Sequence, residues 1–180
     1  MLEQVLTMSG QTSVDYIVQT YGDRVPEEVI RRRERELSRQ QYEKDIPLKQ
    51  GAATLLEAFS QRQIPVYLIT ETQTGWFEPL LQRHKVLGYF SKVISTPDYG
   101  YSKDKVEIWS RLAQITGQRP EQTLVVEDSP YAARAAKAAG YATCGVYEAY
   151  RQGEQAELRQ VCDVYLTDFF AFPMELFQKE

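Results

Sequence analysis

The chain is poor in the residues that build redox or metal scaffolds. Two cysteines, Cys144 and Cys162, and a single histidine, His84, stand among 180 residues. That is too few for a disulfide framework, a cysteine-rich zinc site or a histidine-based metal cluster. A reducing, cytoplasmic setting is the expectation. Apolar runs are equally short: the longest reach about four or five residues, as in Val66-Tyr67-Leu68-Ile69, against the roughly 20 that cross a bilayer. No membrane partner is expected. The opening Met1-Leu2-Glu3-Gln4-Val5-Leu6 has neither a basic region nor a sustained apolar core, so nothing marks it for secretion. A basic excess is also missing. With 21 Lys+Arg against 25 Asp+Glu, the formal charge is −4, which argues against neutralising a nucleic-acid backbone. Ten Gly, eight Pro, 43% hydrophobic and 26% charged residues are what one ordinary globular domain contains, with enough apolar material for a core.

Two textures divide the sequence near residues 45–48. Residues 1–46 read as a small helical unit. Thr12 and Asp15 have the spacing of a capping pair, after which Val14, Ile17, Val18 and Tyr21 share one face and Gly22 closes the segment. Pro26 followed by Glu27 and Glu28 opens a second helix, which carries few apolar residues beyond Val29, Ile30, Leu37 and Tyr42. Arg31-Arg32-Arg33 invites a phosphate- or nucleic-acid-binding reading. Residues 23–45 nevertheless hold seven basic and seven acidic residues, so a solvated face of mutually paired charges is the expectation. Residues 47–180 alternate instead. Short β-branched runs at 65–70, 92–95, 123–127, 144–147 and 163–166 are separated by helical stretches at 51–63, 75–85, 102–117 and 129–140. This alternation predicts an α/β fold with a parallel sheet flanked by helices. The run Leu124-Val125-Val126 predicts burial on both faces.

In such a sheet ligands bind beyond the carboxyl ends of the strands. The first core run ends Ile69-Thr70-Glu71-Thr72, offering a hydroxyl and free backbone N–H groups to phosphate oxygens, although a threonine there can equally cap a turn. The third ends Val126-Glu127-Asp128-Ser129-Pro130. Adjacent carboxylates at a strand end are ligands for a hard cation such as Mg²⁺, while Asp128 or Ser129 could instead cap the next helix. Lys103, between Ser102 and a helix, can direct an ammonium at a bound phosphate or simply lie in solvent. His84, beside Lys85 at a helix end, is expected to complement the helix dipole.

Taken together, these positions resemble the haloacid dehalogenase (HAD) superfamily, and within it the phosphatase and β-phosphoglucomutase-like branch with a helical cap. Thr70 resembles the Ser/Thr of the family's second motif. Ser102-Lys103-Asp104-Lys105-Val106-Glu107-Ile108-Trp109 resembles its Gly-Lys-Pro-x-Pro-Asp-Ile-Tyr run without the two prolines, which leaves Lys105 as a second candidate. Glu127-Asp128-Ser129, followed by Ala132-Ala133, Ala135-Ala136 and Ala138-Ala139-Gly140, resembles the fourth motif and its trailing helix. The resemblance implies a Rossmannoid core over residues 47–180 and a partial cap over residues 1–46. It further implies phosphate binding by Thr70, Glu71 and Lys103, with Thr70 and Lys103 serving catalysis, and Mg²⁺ binding by Glu127 and Asp128. The reaction it implies is removal of phosphate from a small phosphorylated metabolite through an aspartyl-phosphate intermediate.

One family element is not matched. The nucleophile is the first Asp of an Asp-x-Asp that ends a central strand preceding the cap, and no Asp-x-Asp occurs in this sequence. Val5-Leu6-Thr7 could form a strand, but the comparison reads it as cap. The expectation is therefore a sheet lacking its central first strand, in a chain that starts downstream of the true start or receives that strand from a partner, and that is inactive as written. Alternatives are a HAD-fold binding module without catalysis, a phosphomutase, and a receiver-type signalling domain. Chain order disfavours the last, since the acid pair here comes after the lysine.

Overall fold

The computed structural model describes residues 10–177, with side chains from residue 13; the 5–7 strand considered above lies outside them. Helix α1 spans Gly10–Tyr21 and α2 spans Glu27–Gln40, with Glu27 and Glu28 at the positive end of the α2 dipole. A π-helical turn, Gln41–Asp45, ends this part of the chain. Helix α1 already includes Gly10, so the backbone of Thr12 lies within the helix and not at the start that its spacing from Asp15 predicts. Asp15 instead receives a hydrogen bond from Arg31 of α2 at 2.7 Å. Arg31 also pairs with Glu27 at 2.7 Å and Arg33 with Glu36 at 3.2 Å, the solvated, mutually paired face read from the charge balance.

Beyond residue 46 the chain alternates as expected. Helix α3 (Ala52–Gln61) leads to β1 (Val66–Thr70), α4 (Phe77–Arg83), β2 (Phe90–Ser95) and α5 (Val106–Thr116). Then follow β3 (Leu124–Glu127), α6 (Pro130–Ala138), β4 (Ala142–Val146), α7 (Gln155–Val161) and β5 (Val164–Leu166). All pairings are parallel, but they form two sheets. β1 pairs with β2, placing Leu68 opposite Val93 and Thr70 opposite Ser95. β4 pairs with β3 on one side and β5 on the other, placing Val126 opposite Cys144 and Gly145 opposite Tyr165. Among the described residues, the second edge of β1 and the second edge of β3 have no partner strand. Both strands line a cavity of about 1400 Å³. Val126 shows the effect: it is 37% exposed, not buried on both faces as its apolar run predicts, because it opens onto that cavity.

Packing on either side holds the two half-sheets in place. Ile108, Trp109 and Leu112 of α5 and Ala132, Ala135 and Ala136 of α6 bury against Ile94, Val125 and Tyr141. Small side chains on α6 are what let it lie this close to α5 and β3. Phe59, Cys144, Leu166 and Phe172 form a second cluster, in which Phe59 meets Phe172 edge-on at 5.3 Å. Phe77, Leu80, Leu81 and Val86 pack with Tyr42, Ile46 and Leu48 and so anchor the root of the N-terminal helices. His84 Nε2–H donates a hydrogen bond to Ile46 O (3.1 Å), and Arg83 donates to the same carbonyl at 2.7 Å.

Gly51 marks the point where the junction turns into α3. Its φ is +78°, and a Cβ there would lie 2.8 Å from the Phe170 nitrogen and 2.9 Å from the Phe169 carbonyl carbon. Phe169 N–H donates to Gln50 O at 3.0 Å across this approach. Backbone strain and steric overlap act together, so Gly51→Ala should lower stability by about 2 kcal/mol or more. Urea denaturation checks this through a lowered midpoint at unchanged slope.

Candidate phosphate and metal site

Four short segments converge where β1 and β3 end. The loop before α5 carries Lys103, which bridges them. Its backbone N–H donates to Glu71 Oε1 at 2.9 Å, just past β1, and its Nζ donates to Glu127 Oε1 at 2.5 Å, at the end of β3. Its carbonyl accepts from Trp109 Nε1 at 2.9 Å, and Trp109 is fully buried in the core. Each carboxylate is held at its second oxygen as well. Ser129 Oγ donates to Glu127 Oε2 at 3.1 Å, and Tyr131 OH donates to Glu71 Oε2 at 2.8 Å. Arg151 lies 5.6 Å from the centre of the Tyr131 ring and pairs with Glu154 at 2.9 Å.

On the junction before α3, Lys49 reaches Asp128 Oδ2 at 3.3 Å and also pairs with Glu148. Thr70 Oγ1 accepts from Thr72 N–H at 3.0 Å, and Thr72 Oγ1 shares a 2.7 Å hydrogen bond with Tyr42 OH. Thr70 thus fills the turn-capping role that a strand-end threonine can take. The helix-capping alternative for Asp128 and Ser129 is not realised: Ser129 occupies the cap position of α6 without a side-chain cap bond, and both side chains point to other partners.

Electrostatics follow from this packing. Burial alone would depress the Lys103 ammonium, but Glu127, by charge and by hydrogen bond, with Asp128 and Glu71 behind it, lifts it above the ordinary lysine range. Lys103 therefore stays charged. Burial first, then the charge of Glu71, pushes the Tyr131 phenol well above its usual value, so it remains a donor. Five carboxylates (Glu71, Glu127, Asp128, Glu148 and Glu154) face three cations (Lys49, Lys103 and Arg151). The surplus is negative, the balance that favours a divalent cation over a bare phosphate.

Among the described residues, no three Asp, Glu, His or Cys side chains converge as a complete metal site. A pair is nevertheless compatible with Mg²⁺, which commonly takes one or two carboxylates and completes its octahedron with water and phosphate oxygens. Asp128 is the more available of the two, since its side chain is 33% exposed while that of Glu127 is 7% exposed and bonded at both oxygens.

The structure thus gathers Glu71, Lys103 and Glu127 into one bonded group, leaves Asp128 next to Glu127 in the chain but bonded to Lys49, and sets Thr70 at the adjoining strand end. Lys105 is outside the group, an exposed partner of Asp104 at 2.9 Å. The Glu71 carboxylate is fully engaged, so any phosphate contact from this residue falls to its backbone N–H. The cysteines offer no nucleophile: both are buried, and burial, reinforced by Cys162, pushes the Cys144 thiol up to about 12. Sequence reasoning missed Tyr131, Lys49 and Arg151. Tyr131 follows Pro130 directly after the acid pair and Lys49 stands just before Gly51, but nothing local names their distant partners.

Comparison with known proteins gives the family and the fold. A family profile described as haloacid dehalogenase-like hydrolase matches residues 3–140. Phosphoglycolate phosphatase of Escherichia coli (strain K12) is 34% identical over 113 residues, which is 63% of this chain and 45% of that protein. The matched region thus spans less than half the length of this curated relative. Among solved structures, CbbY of Rhodobacter sphaeroides, in complex with phosphate, superposes with a TM-score of 0.78 at 21% identity, covering 95% of this chain and 78% of that one. HAD-hydrolase YfnB of Bacillus subtilis, bound to magnesium, superposes with a TM-score of 0.65 at 20% identity, covering 81% and 69%.

Lys103→Met would leave the Glu127 carboxylate buried and unpaired, a loss of about 3–5 kcal/mol. The double variant Lys103→Met/Glu127→Gln should recover a good part of it. The pH dependence has a definite sign. A lysine whose folded value is raised contributes fully below its unfolded value, near pH ~10.4, and that contribution disappears as pH rises through the folded value. Thermal melts from pH 8 to 12 should therefore show a shallower alkaline decline in the double variant, with the part due to Tyr131 remaining.

Proposed function

Since the chain belongs to the haloacid dehalogenase-like hydrolase family, we propose that it forms the phosphate- and metal-holding part of a phosphohydrolase for a small phosphorylated metabolite. The observation that carries this reading is Lys103, which joins the ends of β1 and β3 while its ammonium stays charged beside Glu127. In the proposed complex the Thr70 hydroxyl and the N–H groups following β1 donate to the non-bridging phosphate oxygens. Lys103 holds a further oxygen and opposes charge that builds up there in the transition state. Asp128, with Glu127, holds Mg²⁺, which when bound neutralises phosphoryl charge. Such chemistry depends mainly on position and electrostatics, so a handful of polar groups at strand ends suffices. Residues 1–46 act as the cap that excludes water, and the protein works in the cytoplasm.

In this reading a carboxylate attacks phosphorus in line and breaks the ester P–O bond, the metabolite's oxygen leaves with a proton from the acid/base neighbour, and water then cleaves the aspartyl phosphate to the carboxylate and inorganic phosphate. The sequence has no Asp-x-Asp, and Asp128 is engaged with Lys49. The attacking carboxylate and its acid/base neighbour therefore come from outside residues 10–177, and the 180-residue polypeptide alone turns over little or no substrate. Because the Escherichia coli relative is a phosphoglycolate phosphatase, 2-phosphoglycolate is the first substrate to offer.

Calorimetry of the full chain with inorganic phosphate, in the presence and absence of Mg²⁺, tests the binding half. Phosphate should bind only with Mg²⁺ present, and Asp128→Asn should weaken it about tenfold or more. Phosphate release from 2-phosphoglycolate should stay at background. Phosphate binding that ignores both Mg²⁺ and Asp128 would overturn the metal assignment, and turnover at ordinary enzyme rates would overturn the inactivity. Binding without turnover even when an Asp-x-Asp segment is supplied would favour a binding module.

A further inference from the structure

Lys49 touches acceptors that follow two different strands, and its backbone is held on both sides. Ile46 O accepts from Arg83 and His84, Gln50 O accepts from Phe169 N–H at 3.0 Å, and Lys49 O accepts from Ala52 N–H at 3.0 Å. Gly51, with its left-handed φ and close approach to Phe169 and Phe170, fixes the direction in which the junction enters α3. The junction therefore aims the Lys49 side chain at the carboxyl ends of β3 and β4, and the ammonium moves by the rotations of that side chain.

Three acceptors surround the ammonium. Asp128 Oδ2, just past β3, lies 3.3 Å away; just past β4, the Nζ pairs with Glu148 Oε2 and donates to Tyr147 O at 3.4 Å. An ammonium has three N–H donors, so two acceptors stay with it when the third is taken. The pair of acceptors past β4 is itself secured. Tyr147 N–H donates to Leu166 O at 2.9 Å, and Glu148 Oε1 accepts from Tyr150 N–H at 3.4 Å. Lys49 and Asp128 are 31% and 33% exposed, whereas Lys103 and Glu127 are 14% and 7% exposed and meet at 2.5 Å. Of these two pairs, Lys49–Asp128 is the one that can part without stranding a buried charge.

We propose that Lys49 is an internal cation that competes with Mg²⁺ for Asp128, and that Glu148 is the seat to which its ammonium withdraws when the metal binds. The proposal rests on the metal assignment made above and goes beyond it by naming the residues that set how tightly the metal is held. Mg²⁺ takes only one or two carboxylates, so the charge left on each of them counts. An ammonium beside Asp128 offsets that charge and repels the divalent ion directly. Withdrawal to Glu148 and Tyr147 O lessens both effects without releasing Lys49 to solvent. Metal affinity is thereby kept moderate by the joint between residues 1–46 and the core.

Calorimetry of the full 180-residue chain with magnesium chloride alone, at fixed ionic strength, tests this. Lys49→Met should tighten Mg²⁺ about tenfold, while Lys49→Arg should stay within about threefold of the unaltered chain. Glu148→Gln, which removes the withdrawal seat, should weaken Mg²⁺ about tenfold with Lys49 present and less than about threefold in the Lys49→Met background, a non-additivity that loss of a nearby charge alone does not produce. The gain from Lys49→Met should vanish on adding Asp128→Asn. In the unaltered chain the NMR signal of the Lys49 ε-methylene should shift as Mg²⁺ saturates, and in Asp128→Asn it should not respond. That signal decides the matter should the methionine variant fold poorly.

Unchanged or weaker Mg²⁺ binding in Lys49→Met, a gain that survives Asp128→Asn, equal losses from Glu148→Gln in both backgrounds, or a Lys49 signal indifferent to Mg²⁺ would overturn the proposal. The metal assignment fails differently. Mg²⁺ binding absent from both the unaltered chain and Lys49→Met, or present in both and indifferent to Asp128→Asn, removes that assignment and this proposal with it. Asp128-dependent binding that ignores Lys49 keeps the assignment and discards the proposal alone.

Discussion

One buried ammonium group holds this molecule's two halves in register. The β1-β2 and β3-β4-β5 sheets share no ladder hydrogen bonds among the described residues, so the alignment of their carboxyl ends depends on side chains. Lys103 provides it twice, through its backbone to Glu71 and through its ammonium to Glu127. Tyr131 adds a third tie by reaching from α6 to Glu71 at 2.8 Å. A charged group so enclosed is held only because its counter-charges and hydrogen bonds are complete. Trp109, which fixes the Lys103 carbonyl, carries this requirement into the apolar core, where Tyr141 OH in turn bonds the Trp109 carbonyl at 2.9 Å.

The same arrangement explains why the site is acidic yet orderly. Glu71 and Glu127 are each bound at both oxygens and have little freedom to move. Asp128 is held by a single surface-reaching lysine. A ligand entering from solvent therefore meets one adjustable carboxylate, backed by a rigid pair. Preorganisation of this kind is what an electrostatic site needs, because its dipoles are fixed before the charge they oppose arrives.

Much of this was legible in the sequence, for a physical reason. In a parallel sheet the groups that matter sit where an apolar strand gives way to polar residues, and these transitions are visible at Thr70-Glu71 and Glu127-Asp128 without knowledge of the fold. The order of Thr70, Lys103 and the acid pair, with the alanine-rich helix that follows, identified the family that the profile over residues 3–140 also matches. Contacts between distant segments were not legible. Arg151 with Tyr131, Lys49 with Asp128, and Asp15 with Arg31 are set by tertiary packing, and no local spacing encodes them. Thr12 shows the converse error, since a hydroxyl and an acid three residues apart look alike at a helix start and within its first turns. Val126 misled because hydrophobicity reports what a residue can bury, not whether a neighbour lies beside it.

The pairings also differ in the length of chain that each closes. β1 meets β2 through residues 71–89, β3 meets β4 through residues 128–141, and β4 meets β5 through residues 147–163. Each is a local β-α-β closure. Of the ties between halves, Lys103–Glu127 spans 24 residues, no more than the β1-β2 closure, while Lys103–Glu71 spans 32 and Tyr131–Glu71 spans 60. Loop-closure entropy grows with length, so of these contacts the Tyr131–Glu71 tie closes at the greatest entropic cost. Tyr131 therefore reaches Glu71 at low entropic cost only where β1 and β3 already stand side by side.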